Sequence, residues 1–194
     1  GLSMNASRAK VMVCQPRETA EERACAEDIA RNLATKAFRR PVGAGDLDML
    51  MPFYELGRAE AGGFDAGVIE LVTAILSSPD FLYRSIDTPT DGDARPLDDL
   101  ELASRLSFFL WGQGPDEQLI QLAADDKLSD ATVLNEQIAR MLDDSRAQAL
   151  VKNFVIAWLN LDELDQVEPA DRTFNAAMRS NFETEIRLFL SSVL

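Results

Sequence analysis

Apolar residues recur at three- and four-residue intervals through almost the whole chain, and this spacing limits the fold more than any other feature. Cys25, Ile29 and Leu33 lie four residues apart, and Leu71 and Ile75 repeat the same step. A stripe with this period occupies one face of an α-helix, which is stable when that face is buried. The sequence therefore predicts an all-α protein of about eight helices, packed as one or two helical bundles.

Turn-forming residues divide these helices into two groups. Gly62-Gly63 separates two helical patterns, and residues 87–96, Asp-Thr-Pro-Thr-Asp-Gly-Asp-Ala-Arg-Pro, have the composition of a surface linker. The expected organisation has four parts: a tag remnant and disordered lead over 1–9, an N-terminal helical domain over 10–86, an acidic linker over 87–96, and a C-terminal helical domain over 97–194 that is truncated at its end.

Local signals predict several helix boundaries. Thr19 and Glu22 have the spacing of a capping box, and Asp98 and Glu101 are expected to cap a helix that runs to Trp111. One short stretch, Lys10 to Cys14, is strand-like or extended.

The chain contains no histidine and only two cysteines. Without histidine it cannot by itself form a Ser-His-Asp or Cys-His catalytic system, a His-containing zinc site or a His-ligated haem. Two cysteines are too few for a four-cysteine metal site or an iron–sulfur cluster. The sequence therefore predicts no catalytic, cofactor-binding or metal-binding residue and no cofactor.

The balance of charge is strongly acidic. Nineteen Lys and Arg face 33 Asp and Glu, which gives a net charge of −14. Such a surplus repels phosphate backbones and anionic lipid headgroups, so nucleic acid is not an expected partner. The longest strongly apolar stretch, 151–161, is interrupted by Lys152, Asn153 and Asn160, so membrane insertion is not expected either.

Cys14 and Cys25 lie eleven positions apart, one before and one inside the first long helical pattern. They could form a disulfide that closes a short loop, or remain two buried thiols, since cysteine is also a small core residue. The residues alone do not separate these two alternatives.

The segment from Asp87 to Asp98 has acids at the first, fifth and twelfth positions and Gly at the sixth, as in a calcium-binding loop. However, Pro89 replaces the third ligand and Arg95 places a cation at the ninth position. The acidic-linker interpretation is therefore favoured over calcium binding.

The other polar groups have structural interpretations that are favoured over catalytic ones. Arg105 could bind an anionic ligand, but Glu101 is available one helical turn away as an ion-pair partner. The carboxylate pairs Asp125-Asp126 and Asp143-Asp144 are adjacent in sequence at helix ends, which suits capping and not a glycosidase pair.

Five aromatic residues in the C-terminal half fall in helical register and are expected to be core. They are Phe108, Phe109, Trp111, Phe154 and Trp158.

Several phrase-like motifs occur in order along the chain: Val13-Cys14-Gln15-Pro16, Cys25-Ala26, Ala37-Phe38-Arg39-Arg40-Pro41-Val42, Phe53-Tyr54-Glu55-Leu56-Gly57-Arg58, Ser77-Ser78-Pro79-Asp80-Phe81-Leu82-Tyr83-Arg84, the stretch from Leu100 to Trp111, Lys127-Leu128-Ser129-Asp130, and Asn153-Phe154 to Trp158-Leu159. Together they resemble two consecutive domains of unknown function from large, secreted planctomycete-type proteins that often also carry a cytochrome c domain.

This resemblance implies an extracytoplasmic location, periplasmic or secreted, which favours the Cys14–Cys25 disulfide. It also implies that the chain is an internal piece, with further domains beyond Leu194. It assigns no catalytic residue.

The leading hypothesis is a non-catalytic helical scaffold or interaction module within a larger, cytochrome-c-associated protein. Its expected partners are other domains of the same parent chain, among them a cytochrome c domain that the acidic surface would attract. The alternative is a domain of an extracytoplasmic enzyme that acts on a polymeric or carbohydrate substrate through Asp and Glu. A deep pocket lined by several acids together with Arg84 or Arg105 would favour the alternative.

Overall fold

The computed structural model of the chain describes residues 6–83, 95–161 and 175–193, and every regular element within these ranges is helical. The α-helices are α1 (Ala6–Val11), α2 (Thr19–Phe38), α3 (Ala44–Ala61), α4 (Phe64–Ser77), α5 (Pro79–Leu82), α6 (Asp99–Trp111), α7 (Glu117–Ala124), α8 (Ala131–Asp143), α9 (Gln148–Leu150), α10 (Ile156–Trp158) and α11 (Ala176–Val193). A 3₁₀ turn (Ser145–Ala147) precedes α9, and a π-helical segment (Val151–Val155) joins α9 to α10. The predicted all-α fold is confirmed.

The N-terminal segment differs from its prediction. Lys10 and Val11 are not strand-like but form the end of α1, and residues 6–9, expected in a disordered lead, form its start. Arg8 in α1 pairs with Asp65 of α4, while Val11 and Met12 pack against the nearby core. These contacts to the rest of the fold order a segment that is too short to be recognised from periodicity.

One of the two predicted capping boxes forms, and the other does not. The Asp98 carboxylate accepts a hydrogen bond from the Glu101 amide at 2.7 Å, and the Glu101 carboxylate accepts one from the Asp98 amide at 3.1 Å, so α6 begins as predicted. Thr19 does not cap α2, because it is already the first helical residue and Glu18 occupies the N-cap position.

The N-terminal core lies among α2, α3 and α4. Ile29, Tyr54 and Leu71 are almost completely buried there. Gly62 and Gly63, both with positive φ, connect α3 to α4 as a helical hairpin. The hairpin is closely packed: a Cβ added to Gly67 would lie 2.5 Å from the Tyr54 ring and 2.7 Å from the Tyr54 carbonyl oxygen. The glycine is therefore needed for α4 to approach α3 this closely.

A second core lies among α6, α7 and α8. Leu119, Leu128 and Met141 are fully buried in it. The buried Asp99 carboxylate accepts hydrogen bonds from the Leu128 amide at 2.6 Å and the Ser129 amide at 3.2 Å. This acid therefore fastens the connection between α7 and α8 to the start of α6.

The end of this half is less regular. The π-helical segment follows α9 directly, and α11 packs against it. No helix among the described residues combines the length and apolarity required to cross a bilayer.

Candidate functional site

Cys14 and Cys25 are joined by a disulfide, with their Cα atoms 5.8 Å apart. Cys25 is buried in α2 and Cys14 lies in the irregular segment after α1. The bond therefore ties the N-terminal segment to α2, and the alternative of two free thiols is wrong.

A groove with a cavity volume of about 390 Å³ lies beside α3 and α4. Phe38, Leu50 and Ala74 supply apolar surface inside it, while the more exposed Met49 and Phe53 lie along α3. Its polar lining residues are Asp46, Glu70, Thr73, Ser77, Ser78 and Asp80. The groove thus combines an apolar interior with carboxylates, and none of its lining residues is a cation.

Arg40 holds two of these carboxylates. Its guanidinium donates to both Asp46 oxygens at 3.0 and 2.8 Å and to Asp80 at 2.8 Å. These hydrogen bonds hold the pKa of Asp46 below its ordinary value and raise the pKa of Arg40. Asp46 therefore stays ionised at neutral pH and does not serve as a proton donor.

Three aromatic side chains form an exposed cluster in the C-terminal half, which we call the aromatic cluster. Phe109 of α6 meets Phe154 edge to face with ring centroids 5.5 Å apart, and Phe154 stacks on Trp158 at 6.1 Å and 12°. Phe109, Phe154 and Trp158 are 53%, 46% and 70% exposed. The prediction that these three residues are core is wrong.

The predicted helical register is confirmed for Phe154 and Trp158, whose stacked rings share a face. Register does not reveal whether another element covers that face. By contrast Trp111 is buried as predicted, and Phe108 is half-buried.

Trp111 lies at the centre of a charged cluster that the sequence did not reveal. Its indole Nε1 donates to the Met141 carbonyl at 2.9 Å. The guanidinium of Arg146 lies 3.5 Å from the ring centroid and that of Arg140 lies 5.5 Å away. Asp116 accepts hydrogen bonds from Arg140 at 2.7 and 3.2 Å. These partners are 24 or more residues apart, so no local pattern marks them.

Three carboxyl groups in this half, those of Asp116, Asp125 and Asp144, lie at helix ends and have lowered pKa values. Asp144 caps the 3₁₀ turn, and hydrogen bonds from the Arg146 side chain and amide lower its pKa. Burial opposes ionisation of Asp116, yet hydrogen bonds from Arg140 and the Leu119 amide hold its pKa below the ordinary value. Asp125 ends α7, and hydrogen bonds from Lys127 and Gln121 lower its pKa. The capping interpretation is confirmed for Asp144, whereas the Asp125 carboxylate accepts from the Gln121 and Lys127 side chains and, among the described residues, caps no backbone group.

A glycosidase-type mechanism needs one carboxyl group whose pKa is raised. Within 6–83, 95–161 and 175–193, each carboxyl group whose pKa departs clearly from its ordinary value is shifted downward. Asp46 is therefore not the general acid that the enzyme alternative requires.

The remaining predicted polar sites contribute little to the groove. Arg105 is exposed on α6 and does not line it, while Glu101 bonds Arg95 at 2.6 and 2.9 Å. Arg84 and most of the calcium-like segment from Asp87 to Asp98 lie outside the described residues. In the described part of the chain, no three His, Cys, Asp or Glu side chains are grouped so that they could hold a metal ion.

Comparison with known proteins gives two family matches. Residues 25–85 match the PSD5 family, described as a protein of unknown function (DUF1595), and residues 97–194 match the PSD4 family, described as a protein of unknown function (DUF1592). No curated protein and no solved structure matches the chain. The expectation of two consecutive domains of unknown function is confirmed, whereas the planctomycete setting and the cytochrome c association stay predictions. Because the second match covers half of its length, the chain belongs to the PSD4 (DUF1592) family of proteins of unknown function.

Proposed function

We propose that the chain is a non-catalytic helical interaction module of a larger extracytoplasmic protein, and that the aromatic cluster docks a basic domain of cytochrome c type. The observation that carries the proposal is the exposure of Phe109, Phe154 and Trp158 as three mutually contacting rings.

Large aromatic side chains dominate the binding energy of many protein interfaces, because they bury much apolar area with little loss of conformational freedom. In the aromatic cluster the rings already hold each other in place, so binding a partner would cost little further ordering. Leu159, 46% exposed, extends the apolar surface next to Trp158.

The net charge supports the choice of a basic partner. At −14 the chain produces a negative potential that speeds the encounter with a cationic protein and slows it with an anionic one. A cytochrome c domain with a basic surface would satisfy this requirement and would supply the haem ligands that a chain without histidine lacks.

The disulfide supports the extracytoplasmic part of the proposal. Disulfides persist in oxidising compartments and are rare in the reducing cytosol. The Cys14–Cys25 bond is compatible with a periplasmic or secreted parent protein.

The rival function, carbohydrate or polymer hydrolysis through Asp and Glu, receives less support. The groove contains carboxylates, but Asp46 and Asp80 share Arg40, and the pKa of Asp46 is lowered. A general acid requires the opposite shift.

Calorimetric titration with a purified basic cytochrome c tests the proposal. We expect Trp158→Ala to raise the dissociation constant about tenfold at low salt, as for an interface anchor. Tyr83→Ala, which removes a comparably exposed ring (69% against 70%) in the other half and outside the groove, is the matched control and should leave the constant unchanged. Absence of binding at low salt, affinity that does not weaken as salt rises, or equal effects of the two variants would each contradict the proposal.

A further inference from the structure

We propose that the groove beside α3 and α4 binds an amphipathic α-helix of a partner protein, whose apolar face is flanked by Lys or Arg. This inference rests on the groove alone and does not depend on the aromatic cluster or on a cytochrome partner.

The apolar surface of the groove follows the helical period. Met49 and Phe53 line the groove, and Leu56, which lies outside its lining, continues the same spacing on α3. The three residues lie four and three positions apart and are 66%, 47% and 51% exposed. At about 1.5 Å per residue the stripe spans roughly 10 Å, or two turns of a docked helix. A row of this spacing is the kind of surface that receives the anchor side chains of an amphipathic helix.

The interior of the groove gives those anchors a place to insert. Phe38, Leu50 and Ala74 line the cavity from three different helices, α2, α3 and α4. Its volume of about 390 Å³ lies near the lower end of the range of about 300–1,000 Å³ that is typical of ligand clefts. A cavity of this size accommodates a few anchor side chains and not a whole domain.

The walls of the groove are held in place before any partner arrives. A Cβ at Gly57 would lie 2.5 Å from Glu70 Cγ and 2.8 Å from the Ala66 carbonyl oxygen, which shows how closely α4 approaches α3. Arg40 fixes Asp46 at the start of α3 to Asp80 in α5. A preformed groove loses little conformational entropy on binding, which favours affinity.

Charge identifies the class of partner. Asp46, Glu70 and Asp80 line the groove, and the nearby Arg40 bonds two of them without lining it. Arg39, whose guanidinium bonds the Asp80 carbonyl oxygen, does not line the groove either. The three lining carboxylates therefore outnumber the two neighbouring cations, and this negative surplus favours a helix with cationic flanks. The same charge disfavours a second copy of this acidic chain as the occupant.

Fluorescence anisotropy with a labelled model peptide tests this assignment in the full chain. The probe is a helix of about 14 residues with Leu on one face and Lys on both flanks. A peptide of identical composition in scrambled order controls for charge alone, and a version with Glu in place of Lys controls for apolar contact alone. We expect the amphipathic Lys peptide to bind at least about tenfold more tightly than either control.

Substitutions locate the binding site. Met49→Lys should weaken binding about tenfold, because it places a cation among the anchors. Met178→Lys, at an exposed methionine of α11, is the matched control and should leave binding unchanged.

Glu70→Gln should weaken binding a fewfold, as expected for an exposed charge pair. Trp158→Ala should not affect the peptide, which separates this site from the aromatic cluster.

Three results would overturn the inference. These are equal binding of the ordered and scrambled peptides, equal effects of Met49→Lys and Met178→Lys, and a dimer in analytical ultracentrifugation that Met49→Lys dissociates. The last result would assign the groove to a second copy of the chain.

Discussion

The guanidinium of Arg146 lies 3.5 Å from the centroid of the Trp111 ring, so a cation covers one face of the buried indole. Asp144 holds this guanidinium at 2.7 Å, and Asp116 lies 3.5 Å from it. The contact joins the end of α6 to the turn that follows α8, two elements that meet only in the folded state.

Replacing Arg146 by Met should therefore lower the free energy of unfolding. We expect a loss of about 1–2 kcal/mol, because a partly desolvated cation–π contact and its ion pairs disappear together. Arg105→Met, at an exposed arginine of α6, is the control and should change the stability by less than about 0.5 kcal/mol. Urea unfolding followed by circular dichroism measures both values, and equal stabilities of the two variants would contradict the role of this contact.

Packing of α3 against α4 predicts opposite effects for two glycine-to-alanine changes. Gly67→Ala should destabilise the chain by about 1–3 kcal/mol, because the new methyl group overlaps the Tyr54 ring and carbonyl. Gly45→Ala, in the same hairpin but with no atom within 4 Å of the added Cβ, should stabilise by about 0.5–1 kcal/mol. In thermal melts, a Gly67→Ala variant that is as stable as the parent chain would show that the hairpin is less closely packed.

Reduction of the Cys14–Cys25 bond should lower the free energy of unfolding by roughly 3 kcal/mol in the chain-entropy model. The reason is that the bond closes a loop between two residues eleven positions apart, which restricts the unfolded chain. The measurement is the urea midpoint with and without a thiol reductant, with free thiols counted in parallel. The double variant Cys14→Ala/Cys25→Ala should show the lower midpoint in both conditions. An oxidised chain with two titratable thiols, or a midpoint that complete reduction leaves unchanged, would contradict this prediction.

The lowered pKa values of Asp46 and Asp116 predict a loss of stability in acid. A carboxyl group whose pKa is lower in the folded state than in the unfolded state stabilises the fold above its unfolded pKa. The melting temperature should therefore be nearly constant from neutral pH to about pH 5 and fall below about pH 4.

The matched variant for this experiment is Asp116→Asn, which should melt at a lower temperature near neutral pH and show a shallower fall in acid. A melting temperature that rises as the pH falls from about 5 to 3 would contradict the sign of the shifts.

The sequence predicted those features that depend on local patterns. The helical period was enough to place α2 and α4 and to define the all-α class, and the capping box of Asp98 and Glu101 placed the start of α6, since each depends on residues within a few turns of one another. The disulfide was favoured only through the family resemblance, because spacing alone left two alternatives open.

Features that depend on long-range packing were not predictable in this way. The aromatic cluster has the same period as a buried face, and only the arrangement of neighbouring helices leaves Trp158 exposed. Likewise Arg40 reaches Asp80, forty positions along the chain, and the groove exists only because α2, α3 and α4 meet. A periodic pattern in one sequence does not show which residues from different helices come into contact.

The two indole N–H signals of the chain test whether the aromatic cluster docks a basic partner. Trp158 is 70% exposed in the cluster, whereas Trp111 is buried and donates its indole proton to Met141. A ¹H–¹⁵N spectrum of the chain is recorded at low salt before and after reduced cytochrome c is added. The variant Trp158→Phe identifies which indole peak belongs to Trp158. We expect the Trp158 signal to shift or broaden and to recover as salt rises, while the Trp111 signal stays in place. An unchanged Trp158 signal, or a response of Trp111 alone, would contradict the proposed docking.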